Sequence, residues 1–66
     1  MSRLGTRMRD ALEGNEREVL EKYYREIALE RDRMVRSRNA FVRQCCDQQI
    51  ARLQHEKRQI EAATID

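Results

Sequence analysis

Proline and tryptophan are absent from this chain of 66 residues, and its two glycines, Gly5 and Gly14, both lie near the start. Beyond Gly14 no residue is a strong helix breaker. Aromatic residues are scarce, with one Phe and two Tyr, and the apolar fraction of 39% is matched by a charged fraction of 39%. A domain this small buries only ~60% of its unfolded surface, so so polar a chain predicts no sizeable globular core. Disorder is the other reading of such a composition, but disordered segments are rich in Pro, Gly or Ser and lack sustained periodicity. The expectation is a helix that folds on association.

Other absences narrow the function classes. The only cysteines, Cys45 and Cys46, are adjacent, whereas secreted disulfide scaffolds use several spaced pairs. A reducing, cytoplasmic setting follows. No apolar run approaches the ~20 residues that span a bilayer, no signal segment opens the chain, and neither a second-position glycine nor a prenylation box offers a lipid anchor. No membrane partner is expected. The chain begins with Met1 and stops at Thr64-Ile65-Asp66 without an ending signal, as a piece of a longer rod would. A phosphate-binding loop and a nucleophile with an ordered base are also missing, and a long helix encloses no pocket. The sequence therefore predicts no enzyme, no cofactor and no small-molecule substrate.

What is present is a seven-residue apolar repeat, Leu20, Ile27, Met34 and Phe41, the spacing of a helix that buries one narrow seam against another helix. After Phe41 the apolar positions advance by fours and threes through Cys45 or Cys46, Ile50, Leu53 and Ile60. Such an advance inserts a stutter near 45–49 and locally unwinds a coiled coil. Tyr24 flanks the seam, as does Tyr23. The predicted fold is all-α: a long single helix forming a coiled coil, as a parallel dimer, with heptads in its centre. The predicted seam is Leu20, Tyr24, Ile27, Met34, Phe41, Cys45, Ile50, Leu53 and Ile60.

Gly14-Asn15 is the one punctuation mark. Asn15 followed by Glu18 makes a capping box that would start a new helix, while the alternative is a continuous helix weakened by ~1 kcal/mol at the glycine. The expected division is a short helical or frayed segment over 1–14 and a coiled-coil helix over 15–66. Glu13/Arg17, Glu18/Lys22, Glu21/Arg25 and Asp32/Arg36 place an acid four residues before a base and prop the helix by ~0.2–0.5 kcal/mol each. At 1.5 Å per residue the uninterrupted segment would extend ~70 Å.

Net charge is only +2, but from Arg31 to Cys45 five arginines face a single acid, Asp32. Arg31 and Arg38 fall nearly on the seam, where they must snorkel to the rim or pair with acids such as Glu30. Arg33, Arg36 and Arg43 fall opposite it, where no core requirement explains them. These three are the predicted acidic-partner contacts, since guanidinium groups grip carboxylates and phosphates bidentately. An ordinary solvated face is the plain alternative. Cys45, Cys46 and His55 lack the three- or four-residue spacing of helical metal ligands, so no metal site is expected.

Together these features predict a structural or oligomerisation module, homodimeric and cytoskeletal in type, with an arginine-rich face docking an acidic protein filament such as a microtubule. A small helical regulator that binds nucleic acid through the same face is the alternative.

Overall fold

The computed structural model describes residues 3–64, and every element among them is helical. Helix α1 (Arg3–Asp10) passes through a wide helical turn, Ala11–Asn15, into α2 (Glu16–Arg36), and α3 (Ala40–Ala63) follows a three-residue turn. Gly14 sits in the left-handed region (φ 104°, ψ 3°) and kinks the wide turn. Only glycine adopts that conformation cheaply, because a Cβ would crowd the backbone. The chain breaks direction there, and Asn15 makes no side-chain capping bond at the start of α2.

The uninterrupted helix expected over 15–66 is not what forms. Ser37, Arg38 and Asn39 leave helical geometry, with Ser37 extended at φ −81°, ψ 134° and Asn39 at φ −84°, ψ 118°. The chain reverses at that point, and α3 returns antiparallel along α2. The Thr64 hydroxyl at the end of α3 donates to Glu16 at the start of α2 (2.8 Å), and Lys57 lies over the Tyr24 ring (4.6 Å). The molecule measures 42 × 19 × 19 Å instead of a ~70 Å rod.

This reversal answers the burial problem within one chain. Val19, Tyr23 and Ile27 of α2 meet Ile50, Leu53 and Ile60 of α3, with Ala11 closing the cluster. Leu4 and Met8 of α1 pack against it, together with Leu20 and Met34, so α1 covers one side of the hairpin. Each fully buried aliphatic side chain contributes roughly 1.5–3 kcal/mol.

Of the nine expected seam positions, Ile27, Ile50, Leu53 and Ile60 are buried and Leu20 and Met34 half-buried, all within the chain itself. Tyr24, Phe41 and Cys45 are exposed, and their neighbours Tyr23 and Cys46 are buried instead. The cause is angular. Tyr23 falls in line with Val19 and Ile27 at four-residue steps, whereas Phe41 continues the heptad of α2 only in sequence, because the turn separates it from that helix. Burial, and then the adjacent Glu30 carboxylate, push the Cys46 thiol up. It stays protonated at neutral pH. Glu56 is the one charged residue buried among those described.

Candidate functional site: an arginine-rich turn

The turn is built by two small polar side chains. The Ser37 N–H donates to the Arg33 carbonyl (3.0 Å) and ends α2. The Ser37 hydroxyl then accepts from the Asn39 N–H (3.2 Å), holding the three-residue link tight. The Asn39 side-chain oxygen accepts from the N–H groups of Phe41 (2.8 Å) and Val42 (3.3 Å), capping α3. An N-cap of this kind satisfies donors that have no partner inside the helix.

Five arginines gather around this link. Arg31, Arg33 and Arg36 stand on the last turns of α2, Arg38 in the turn itself, and Arg43 in the first turn of α3. Two of them are partly neutralised: Arg33 reaches Glu30 (3.2 Å) and Arg36 reaches Asp32 (3.2 Å). Arg31, Arg38 and Arg43 have no acid within ion-pair distance among the described residues. The sequence singled out Arg33, Arg36 and Arg43; the folded chain brings all three to one end, but it is Arg31 and Arg38 that join Arg43 as unpaired cations.

The helix dipoles sharpen the field. Arg33 and Arg36 sit at the C-terminal end of α2, where partial negative charge favours cations. The N-terminus of α3 contributes partial positive charge at the same end of the molecule, with no acid in its first turn. Phe41 (71% exposed) and Val35 (81% exposed) stand among these cations. The end of the hairpin therefore offers guanidinium groups and two apolar side chains to an anionic surface.

A second charged cluster holds α1 in place and points inward. Arg7 donates to Glu26 through both terminal nitrogens (2.6 and 3.0 Å), Arg3 also pairs with Glu26, and the Arg7 guanidinium lies over the Tyr23 ring. These bonds hold the Glu26 carboxyl below the usual glutamate range. Among the described residues no group of three or more His, Cys, Asp or Glu side chains is placed to hold a metal ion. No helix among them is long and apolar enough to cross a membrane.

The chain matches no protein-family model, no curated protein and no solved structure at a significant level.

Proposed function

We propose that this chain is a structural and oligomerisation module, not a catalyst, that docks an acidic partner through the arginine-ringed end of its hairpin. The acidic surface of a protein filament such as a microtubule is the partner of the first reading. One observation carries it: Arg38 in the turn, Arg43 in the first turn of α3 and Arg31, further back along α2, have no internal acids. An unpaired guanidinium retains its full capacity for bidentate contact with carboxylates, and several together add up along a polyanionic surface.

The same reading takes the hairpin as homo-oligomeric. Leu12, Leu29, Val35 and Phe41 remain exposed after the chain has closed on itself, and association between hairpins would cover some of that surface. The free thiols of Cys45 and Cys46 fit a reducing cytoplasmic location. A second reading, docking on single-stranded nucleic acid, is favoured by Phe41, which stands exposed between Arg38 and Arg43 as an aromatic platform for a base.

Co-sedimentation with microtubules and retention on single-stranded RNA, each across a salt series, test both readings. Changing Arg31, Arg38 and Arg43 to Glu should leave helicity intact and abolish binding, which in the wild type should also weaken with salt. Changing Arg17, Lys22 and Arg25 to Glu is the control, since those residues lie at the opposite half of α2. Phe41→Ala should reduce binding to RNA but not to the filament. Equal binding by wild type and the turn mutant would overturn the proposal.

A further inference from the structure

Two antiparallel helices leave two grooves between them, and α1 covers part of only one of them. On one side α1 lies against both α2 and α3. Its cations Arg3 and Arg7 meet Glu26, and its apolar side chains Leu4 and Met8 pack on the core. The covered groove thus presents an acid and receives a basic amphipathic helix.

On the other side the charge is reversed. A groove of about 190 Å³ is lined by Tyr24, Ile27, Arg31, Gln54, Lys57 and Arg58, with no carboxylate among them. Arg31 and Glu26 are five residues apart on α2, about 140° around the helix, which sets them on opposite sides of the hairpin. Lys57 is tied to Glu61 (2.9 Å) and lies over Tyr24, whereas Arg31 and Arg58 have no partner among the described residues. The adjacent tyrosines record the asymmetry. Tyr23 faces the covered side and is 0% exposed, while Tyr24 is 60% exposed.

We infer that this open groove takes an acidic amphipathic helix of a partner protein, packed on the exposed Tyr24 ring and held at its rim by Arg31 and Arg58. The occupant's chemistry is that of α1 with the charge inverted: small or branched apolar residues at three- and four-residue spacing, flanked by Glu or Asp. Burying the Tyr24 ring supplies contact area, and the two guanidinium groups fix the register. This site shares Arg31 with the docking proposed at the turn but needs neither Arg38 nor Arg43. The paired change Arg38→Glu with Arg43→Glu therefore separates the two, since it should remove the turn docking and leave this groove intact.

The probe is a synthetic peptide of about 18 residues, long enough to become helical when docked, with a Leu/Ala stripe bordered by Glu. One control carries Lys for every Glu; a second scrambles the sequence to destroy the stripe. Fluorescence anisotropy should show the Glu peptide binding roughly tenfold more tightly than either control, because both the charge and the stripe contribute. Arg58→Glu and Tyr24→Ala should each weaken it several-fold at unchanged helicity, and Arg38→Glu with Arg43→Glu should not. Amide shifts on titration should centre on Tyr24, Gln54 and Arg58. The inference is overturned by absence of binding, by equal binding of the scrambled peptide, or by shifts confined to the turn. It is also overturned if sedimentation shows a dimer of the chain alone that Arg58→Glu dissociates, because a second copy would then fill the groove.

Discussion

Arg7 lies 4.5 Å from the centre of the Tyr23 ring while donating to both carboxylate oxygens of Glu26. One side chain thereby does two jobs. Its guanidinium closes the core over a fully buried aromatic ring, and it ties an eight-residue helix to a hairpin formed by residues much later in the chain. A helix as short as α1 is unstable by itself, so its order depends on this contact and on Leu4 and Met8.

That dependence is sensitive to pH. Arg7 holds the Glu26 carboxyl below the usual glutamate range, so the folded state favours the ionised form. The resulting stabilisation is fully present above the ordinary glutamate value and is lost as pH falls through the lowered one. Acidification should therefore release α1 before the α2–α3 hairpin melts, with hydrogen exchange rising first over Arg3–Asp10. Glu26→Gln should remove most of this dependence and, because the pair is partly exposed, cost no more than about 1 kcal/mol near neutral pH. An equally steep acid transition in the Glu26→Gln protein would refute the assignment.

Tyr23 offers a complementary test. Its hydroxyl is buried without a hydrogen-bond partner, and burial pushes the phenol up, an effect that the nearby Arg7 guanidinium partly offsets. A buried unsatisfied hydroxyl costs roughly 1–3 kcal/mol. Tyr23→Phe should therefore be neutral or raise the denaturation midpoint, whereas Tyr23→Ala should lose ~3 kcal/mol or more and unfold so small a core. A clear loss of stability in Tyr23→Phe would mean that the hydroxyl is bonded after all.

The wide turn before α2 makes a third prediction. Nothing lies within 4 Å of a Cβ built on Gly14, so any penalty for adding one comes from the backbone alone. Gly14→Ala at a φ of 104° should cost ~1–2 kcal/mol through the left-handed conformation. Relaxing that strain would straighten the chain through Asn15 and swing α1 off the hairpin. Thermal melts and the Arg7 contact to Tyr23, read by tyrosine fluorescence, should change together.

These contacts also explain how far the sequence could be read. The stripe Leu20, Ile27 and Met34 does mark the core side of α2, because helical periodicity survives whatever the stripe packs against. Phe41 extends that spacing by coincidence: the three turn residues preserve the count while changing the direction of the chain. The signal for the reversal was Ser37 and Asn39, two residues that cap helices, but a lone Asn without Glu or Gln three positions later makes no capping box. Likewise, the concentration of arginine and the Asp32/Arg36 spacing were visible in the sequence, whereas the pairing of Glu30 with Arg33 was not. Which cations remain unpaired depends on Glu30 and Asp32 lying one turn before Arg33 and Arg36, and on nothing folding back over Arg31, Arg38 and Arg43.

Asn39 separates the stability of the turn from its charge. Asn39→Ala removes the acceptor for the Phe41 and Val42 N–H groups and should cost about 1 kcal/mol, fraying the first turn of α3. Asn39→Asp keeps an acceptor at the same position and adds negative charge at a helix N-terminus, a favourable placement worth ~0.3–1 kcal/mol. The Asp variant should therefore melt at or above the wild-type temperature. Its added charge, however, sits beside Arg38 and within four residues of Arg43, at the end of the hairpin assigned to an acidic partner. Asn39→Asp should bind that partner more weakly than the wild type despite its greater stability, while Asn39→Ala should lose stability with a smaller loss of binding. Thermal melts and co-sedimentation at matched salt measure both quantities. If binding instead follows stability across the two variants, the order of the turn matters more than its charge, and docking through unpaired arginines is wrong.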